Sequence, residues 1–161
     1  MNLDIGHMLI HPHHGLVTIT SRAMRTTPAG SVEFLTLTVR TSDLELQIPV
    51  ANVELIGLRE VIDDAGLQRI VDALSVPPGD DPPNWSRRYK NYEIKLASGD
   101  PARVAEAVRS ISDRQREKKI SAGEKRLYLR GMEMLATEIA QHPAVGGLDK
   151  AERLIADTLA S

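Results

Sequence analysis

A chain of 161 residues with a formal net charge of −2 suits one ordinary domain or two small ones. Hydrophobic residues at 42% and charged residues at 26% exclude a disordered chain, and aromatics at 3% require an aliphatic core. With no cysteine, a disulfide scaffold, a thiolate zinc site, an iron–sulfur cluster and a cysteine nucleophile are all excluded.

The first 60 residues read as strands. Met8-Leu9-Ile10 and Leu16 to Thr20 are two candidates. In a third, Leu35, Leu37 and Val39 alternate with threonines; in a fourth, Leu44, Leu46 and Ile48 alternate with Glu45 and Gln47. Turns are marked at Pro12 to Gly15, Thr27 to Gly30 and Thr41 to Asp43. Pro49 closes the fourth strand, and Val53 to Ile56 is expected as a short fifth. Close-spaced short strands predict a small, strongly bent barrel or sheet.

After residue 60 the period becomes helical. Leu67, Ile70, Val71 and Leu74 share a face, with Asp63 or Asp64 as N-cap. The breaker Pro77-Pro78-Gly79-Asp80-Asp81-Pro82-Pro83 cannot be helix. Asn84 caps a helix from about Trp85 to Ala97, and Asp100-Pro101 opens the next, with Val104, Val108 and Ile111 as its stripe. Ser121-x-x-Glu124 is a capping box for a helix burying Leu127, Met132, Leu135 and Ile139. His142-Pro143 and Gly146-Gly147 break it, and Asp149 is expected to cap a last helix with Ala151, Leu154, Ile155 and Leu159 inside. The expected fold is therefore α+β, with a β module over 1–60 and an all-α bundle over 61–161.

Catalytic signatures are missing. No G-x-S-x-G, S-x-x-K, H-E-x-x-H or glycine-rich phosphate loop occurs. The pairs Asp63-Asp64 and Asp80-Asp81 sit where capping and solvation account for them. His11-Pro12-His13-His14, with His7 nearby, invites a metal, but no acidic ligand is suitably spaced, and a turn with partly buried imidazoles is the simpler reading. The expectation is a protein without catalytic residues, metal or cofactor. No apolar run reaches the ~18 residues of a membrane span. The start, Met1 to Gly6, has no basic stretch followed by an apolar one, so a cytoplasmic location is expected.

Charge is concentrated. From Trp85 to Arg130 there are 13 Lys or Arg against six acids, a surplus of +7 that leaves −9 on the rest of the chain. Such a segment fits phosphates, or a set of solvated helix faces with internal ion pairs. Its most informative part is Asn84-Trp85-Ser86-Arg87-Arg88-Tyr89-Lys90. The only tryptophan lies in the first turn of a helix, where free N–H groups and a positive partial charge attract phosphate, and three cations follow it. An indole there can stack on a base or wedge between base steps. Equally, Trp85, Tyr89, Tyr92 and Leu96 make a core stripe. Lys125 and Arg126 oppose the dipole of their own helix, which an external phosphate would explain, as would neutralisation by Glu124.

Five segments carry a resemblance: His11-Pro12-His13-His14-Gly15, Pro49-Val50-Ala51-Asn52, Pro83 to Lys90, Lys95 to Asp100 and Ser121 to Arg126. With them the chain resembles the actinobacterial CarD regulators, a family of RNA-polymerase-binding proteins. The resemblance spans nearly the whole chain, although no motif after residue 141 carries it. It implies a Tudor-like polymerase-interaction module, similar to one in transcription-repair coupling factor, that binds the β subunit of RNA polymerase working with the housekeeping sigma factor. It implies a helical domain at promoter DNA, on the upstream edge of the transcription bubble. Trp85 would wedge into the minor groove, and Arg87, Arg88, Lys90, Lys125 and Arg126 would hold flanking phosphates. A longer-lived open complex would result. Arg25 and Gln47 are expected near polymerase, with no dimer required. Two departures stand out. His11 occupies a position where the family commonly has Tyr, and Gln47 one where it can carry a cation. The competing reading keeps the β module as a polymerase adaptor and makes the helical half dock another protein.

Overall fold

The computed structural model describes all 161 residues. They divide into two compact units, Met1–Val61 and Ile62–Ser161. No helix is long and apolar enough to cross a membrane. The architecture is α+β, as expected: a five-stranded antiparallel sheet and then helices.

The strands are β1 (Met8–His11), β2 (Gly15–Thr27), β3 (Gly30–Val39), β4 (Glu45–Pro49) and β5 (Arg59–Glu60), in sheet order β4-β3-β2-β1-β5. β2 and β3 run well beyond the alternating apolar segments, because the Thr27–Gly30 turn closes a long hairpin whose outer part is largely exposed. Gly30 takes φ 110°, a turn conformation that L side chains resist. The alternation does its expected work: Leu35, Leu37 and Val39 point inward with Val17, Ile19 and Leu9. The expected fifth strand is not one. Pro49 leads into a 3-10 turn at Val50–Asn52, and Val53–Ile56 forms a single helical turn, α1, ended by Gly57 at φ 94°. Val53 is buried but Leu55 is exposed, so no strand alternation exists to be satisfied. The real fifth strand, Arg59–Glu60, pairs with Leu9 and Ile10.

The histidines make a turn. His11 pairs with Gly15, and its Nδ1 accepts from the backbone N–H of His13 and His14 at 3.0 and 3.2 Å. Its ring lies 4.8 Å from that of His14 and 5.9 Å from that of His13. No three His, Cys, Asp or Glu side chains gather as a metal would need. Burial first, then the neighbouring imidazoles, holds the His11 pKa below its ordinary value.

The helical unit comprises α2 (Asp64–Ser75), α3 (Trp85–Ala97), α4 (Pro101–Glu117), α5 (Ala122–Ile139) and α6 (Leu148–Ala160). Asp63, Asn84, Asp100 and Ser121 each cap with a side-chain oxygen accepting a backbone N–H. Asp149 does not cap α6; Gly147 occupies that position and Asp149 lies in the first turn, where its charge favours the dipole. α4 is the hub, packing on α2, α3 and α5 through Val104, Ala105, Ala107, Val108 and Ile111. α5 comes close at Gly131, where a Cβ would lie 2.7 Å from Val108 Cγ2.

Two outcomes follow from this packing. Gly131→Val overfills the α4–α5 contact and lowers unfolding free energy by about 1–3 kcal/mol, read by urea denaturation. Because folding favours neutral His11, its stabilisation is complete above the ordinary imidazole value of ~6.5 and is lost as pH falls through that value toward the lower folded one. The urea midpoint of the N-terminal unit is therefore lower at pH 5.5 than at pH 7.5, and His11→Tyr flattens that difference.

Candidate nucleic-acid interface

Three polar side chains of α3 point inward at intervals of four and three residues, and all three hold the proline loop that precedes their own helix. The Arg88 guanidinium donates to the carbonyls of Pro82 and Pro83 at 3.5 and 3.3 Å. The Tyr92 hydroxyl donates to Asp81 Oδ2 at 2.7 Å. The Lys95 ammonium meets Asp80 at 2.8 Å and Glu106 of α4 at 3.0 Å. Burial, reinforced by the bond to Asp81, pushes the Tyr92 phenol far above its usual value, so it remains a donor. Asp80 and Asp81 are thus not merely solvated loop carboxylates. Each is the anchor of one α3 side chain.

This arrangement sets Arg88 apart from the other cations of the segment. Arg88 is only 5% exposed, and its guanidinium is committed to backbone carbonyls inside the fold. A guanidinium so placed fixes the loop from within. Arg87 and Lys90, by contrast, are exposed, as are Lys125 and Arg126 at the start of α5.

The expected core stripe is graded along α3. Tyr92 and Leu96 are buried, Tyr89 is half-buried, and Trp85 is 49% exposed. The indole stacks on Tyr89 with ring centroids 5.4 Å apart and planes at 23°. Tyr89 in turn rests against Gly123, where a Cβ would approach its ring to 2.9 Å. Trp85 Nε1 donates to Glu124 Oε1 at 2.9 Å. That bond sets the first turns of α3 and α5 side by side, and with them two helix N-termini and the exposed cations Arg87, Lys90, Lys125 and Arg126. Glu124 is 2% exposed. Its Oε1 also accepts from the Ser121 hydroxyl at 3.1 Å, and its Oε2 lies 3.5 Å from Arg114 Nε.

In the N-terminal unit, Arg25 pairs with Val32 and Gln47 with Thr36. Val32, Phe34 and Thr36 share one face of β3, opposite the buried Leu35 and Leu37, so Arg25 and Gln47 lie on the same outer face. The Arg25 guanidinium stands over the Phe34 ring, 5.0 Å from its centroid. Gln47 is exposed on β4, an edge strand.

The sequence profile described as "CarD, C-terminal domain" matches residues 69–155, more than half of the chain. The chain belongs to the CarD family. The match extends past residue 141, so most of the α6 segment belongs to the family pattern although no short motif marks it. Among curated proteins, YdeB of Bacillus subtilis (strain 168), named as a candidate transcription factor, is 24% identical over 136 residues, which is 84% of this chain and 89% of YdeB. Among solved structures, the 72-residue N-terminal domain of Myxococcus xanthus CarD aligns with 37% of this chain and 79% of its own, at 19% identity and a TM-score of 0.32.

Some members of the site are not visible in the sequence. The capping-box pattern assigns Glu124 to a helix cap, yet only Ser121 caps: its hydroxyl accepts from the Glu124 N–H, while the Glu124 carboxylate turns to the indole. The signal for Tyr89 packing is Gly123, a glycine inside a helix start, which marks close approach. Nothing in the sequence points to Arg114 beside Glu124. The clamp on the loop generates a further expectation. Lys95→Met costs about 1–3 kcal/mol, less than the ~3–5 kcal/mol of a wholly buried pair, because Asp80 and Glu106 keep contact with water. Limited proteolysis then cuts preferentially within residues 77–83.

Proposed function

We propose that the protein is a non-enzymatic regulator of transcription initiation, acting in the cytoplasm on RNA polymerase and the upstream edge of the promoter bubble together. The observation that carries this reading is the half-exposed Trp85, set at the junction of two helix N-termini among exposed Arg87, Lys90, Lys125 and Arg126. Phosphate neutralisation by these four cations positions the helical unit without reading sequence. The indole edge then enters the minor groove where base pairs are already unstacked at the fork. Stacking there is worth ~1–3 kcal/mol. If little of it is present in the transition state for reclosure, the open complex persists roughly 5- to 150-fold longer.

The N-terminal unit binds the β subunit of a polymerase that carries the housekeeping sigma factor. The outer face with Arg25, Phe34 and Gln47, next to the β4 edge, is the surface proposed for that contact. Gln47 offers hydrogen bonds without charge, so the salt dependence of this contact falls to Arg25. DNA affinity of the isolated protein is low, since its net charge is −2, and attachment to polymerase supplies the effective concentration. One observation favours the adaptor reading: Ile94 and Leu129 are exposed apolar residues on α3 and α5.

Two measurements test the proposal. Trp85→Ala shortens open-complex lifetime on a ribosomal RNA promoter toward the value without the protein. It costs only about 2 kcal/mol of folding free energy, near half the ~3–5 kcal/mol of a buried aromatic. Lys125→Ala or Arg126→Ala lowers the slope of log affinity against log salt by about 0.9 for each phosphate that is no longer neutralised, measured with forked DNA. Arg88→Met lowers stability and leaves that slope unchanged. An unchanged slope in the Lys125 and Arg126 variants would favour the adaptor reading.

A further inference from the structure

We infer that Glu124 is a positioning residue for the Trp85 wedge: by taking the indole N–H, it holds the ring in one pose and leaves only an apolar edge for DNA. The inference rests on the wedge reading above and deepens it. Its basis is a local rule that the chain breaks. In a capping box the glutamate reaches back to the N–H of the N-cap residue. Here the Glu124 carboxylate instead accepts from Trp85 Nε1 at 2.9 Å and the Ser121 hydroxyl at 3.1 Å. It is 2% exposed, and its second oxygen has Arg114 Nε at 3.5 Å as a counter-charge. A carboxylate withdrawn from water to this extent accepts strongly from the donor it faces.

Trp85 is otherwise weakly confined. It is 49% exposed, in the first turn of α3, and touches Tyr89 on one face. Without Glu124 its side chain has several rotamers open to it. A hydrogen bond to a buried charged group multiplies the population of one pose by roughly ten- to a hundredfold. The bond also settles what the ring can read. The indole N–H is a donor and nothing else. The minor groove offers purine N3 and pyrimidine O2 as acceptors, with the guanine amino group breaking the pattern. A free N–H would reach for those acceptors and favour A·T pairs. An N–H held by Glu124 leaves insertion dependent on unstacking alone, so the wedge tolerates any base pair at the step it enters.

The test uses Glu124→Gln, which keeps an acceptor, and Glu124→Met, which keeps length and helix propensity without one. Trp85 is the only tryptophan, so fluorescence anisotropy decay of the free protein reports its motion alone. Glu124→Gln is expected to stay near wild type. Glu124→Met is expected to add fast, wide-angle indole motion, to shorten open-complex lifetime about tenfold, to leave the salt slope unchanged and to favour A·T at the entered step. In a Trp85→Phe background, which has no N–H to hold, Glu124→Met is expected to change nothing further. Unchanged indole motion in Glu124→Met overturns the inference, as does an equal loss of lifetime in the Trp85→Phe background. If Trp85→Ala itself leaves the lifetime intact, the wedge reading has failed, and the anisotropy still reports whether Glu124 holds the ring. Should Glu124→Met not fold, indole N–H exchange in the wild type decides: about tenfold slowing is expected, and exchange at the rate of an exposed indole overturns the inference.

Discussion

Lys95 is charged and has no exposure, and the shape of the helical unit around Trp85 depends on how that charge is met. An isolated ammonium could not be enclosed without several kcal/mol of desolvation cost. Asp80 and Glu106 both meet it, one in the proline loop and one on α4. The loop therefore cannot drift from the helix it precedes. Tyr92 and Arg88 repeat the same contact one and two turns earlier, through Asp81 and the carbonyls of Pro82 and Pro83. Asn84 is then delivered as N-cap, and Trp85 emerges in the first turn within reach of α5, where Glu124 takes its indole N–H. Proline density supports this: four prolines restrict the loop before it is clamped, so less conformational entropy opposes the ordering.

The cations are consequently divided by depth. Arg88 and Lys95 build the platform from within, while Arg87, Lys90, Lys125 and Arg126 remain in water around the indole. Charge counting cannot make that division. A surplus of +7 over Trp85 to Arg130 is a property of the segment; which members face out depends on α3 turning its 88, 92 and 95 positions inward. For the proposed function the consequence is a small set of exposed cations available to phosphate, too few for strong binding alone. A regulator of this kind depends on a second attachment, and the outer face with Arg25, Phe34 and Gln47 is where that attachment is proposed.

Much of the fold is legible in the sequence because local signals agree with one another. Asp63, Asn84, Asp100 and Ser121 announce four helix starts, and the period-two alternation of Leu35 to Val39 announces a half-buried strand. Legibility fails where a tertiary contact overrides a local signal. Val53 to Ile56 reads apolar but needs only Val53 inside, so it coils into one helical turn. Asp149 is available to cap, yet the chain enters α6 through Gly147 in a conformation that puts the aspartate two positions past the cap. For the candidate site, residue type and spacing nominate Trp85 and its neighbouring cations. The burial of Arg88 and the diversion of Glu124 from cap to indole cannot be read that way. Both depend on groups 5 to 39 residues away, and no periodicity encodes them.

The role proposed for Trp85 is contact with the upstream edge of melted promoter DNA. It is tested most directly by placing a photoreactive benzoylphenylalanine at position 85 and irradiating the complete initiation complex on an end-labelled promoter. The expected crosslink is confined to the upstream edge of the bubble and forms only when polymerase and sigma factor are present. Crosslinking to a protein subunit instead of DNA, or to DNA without positional preference, would contradict it.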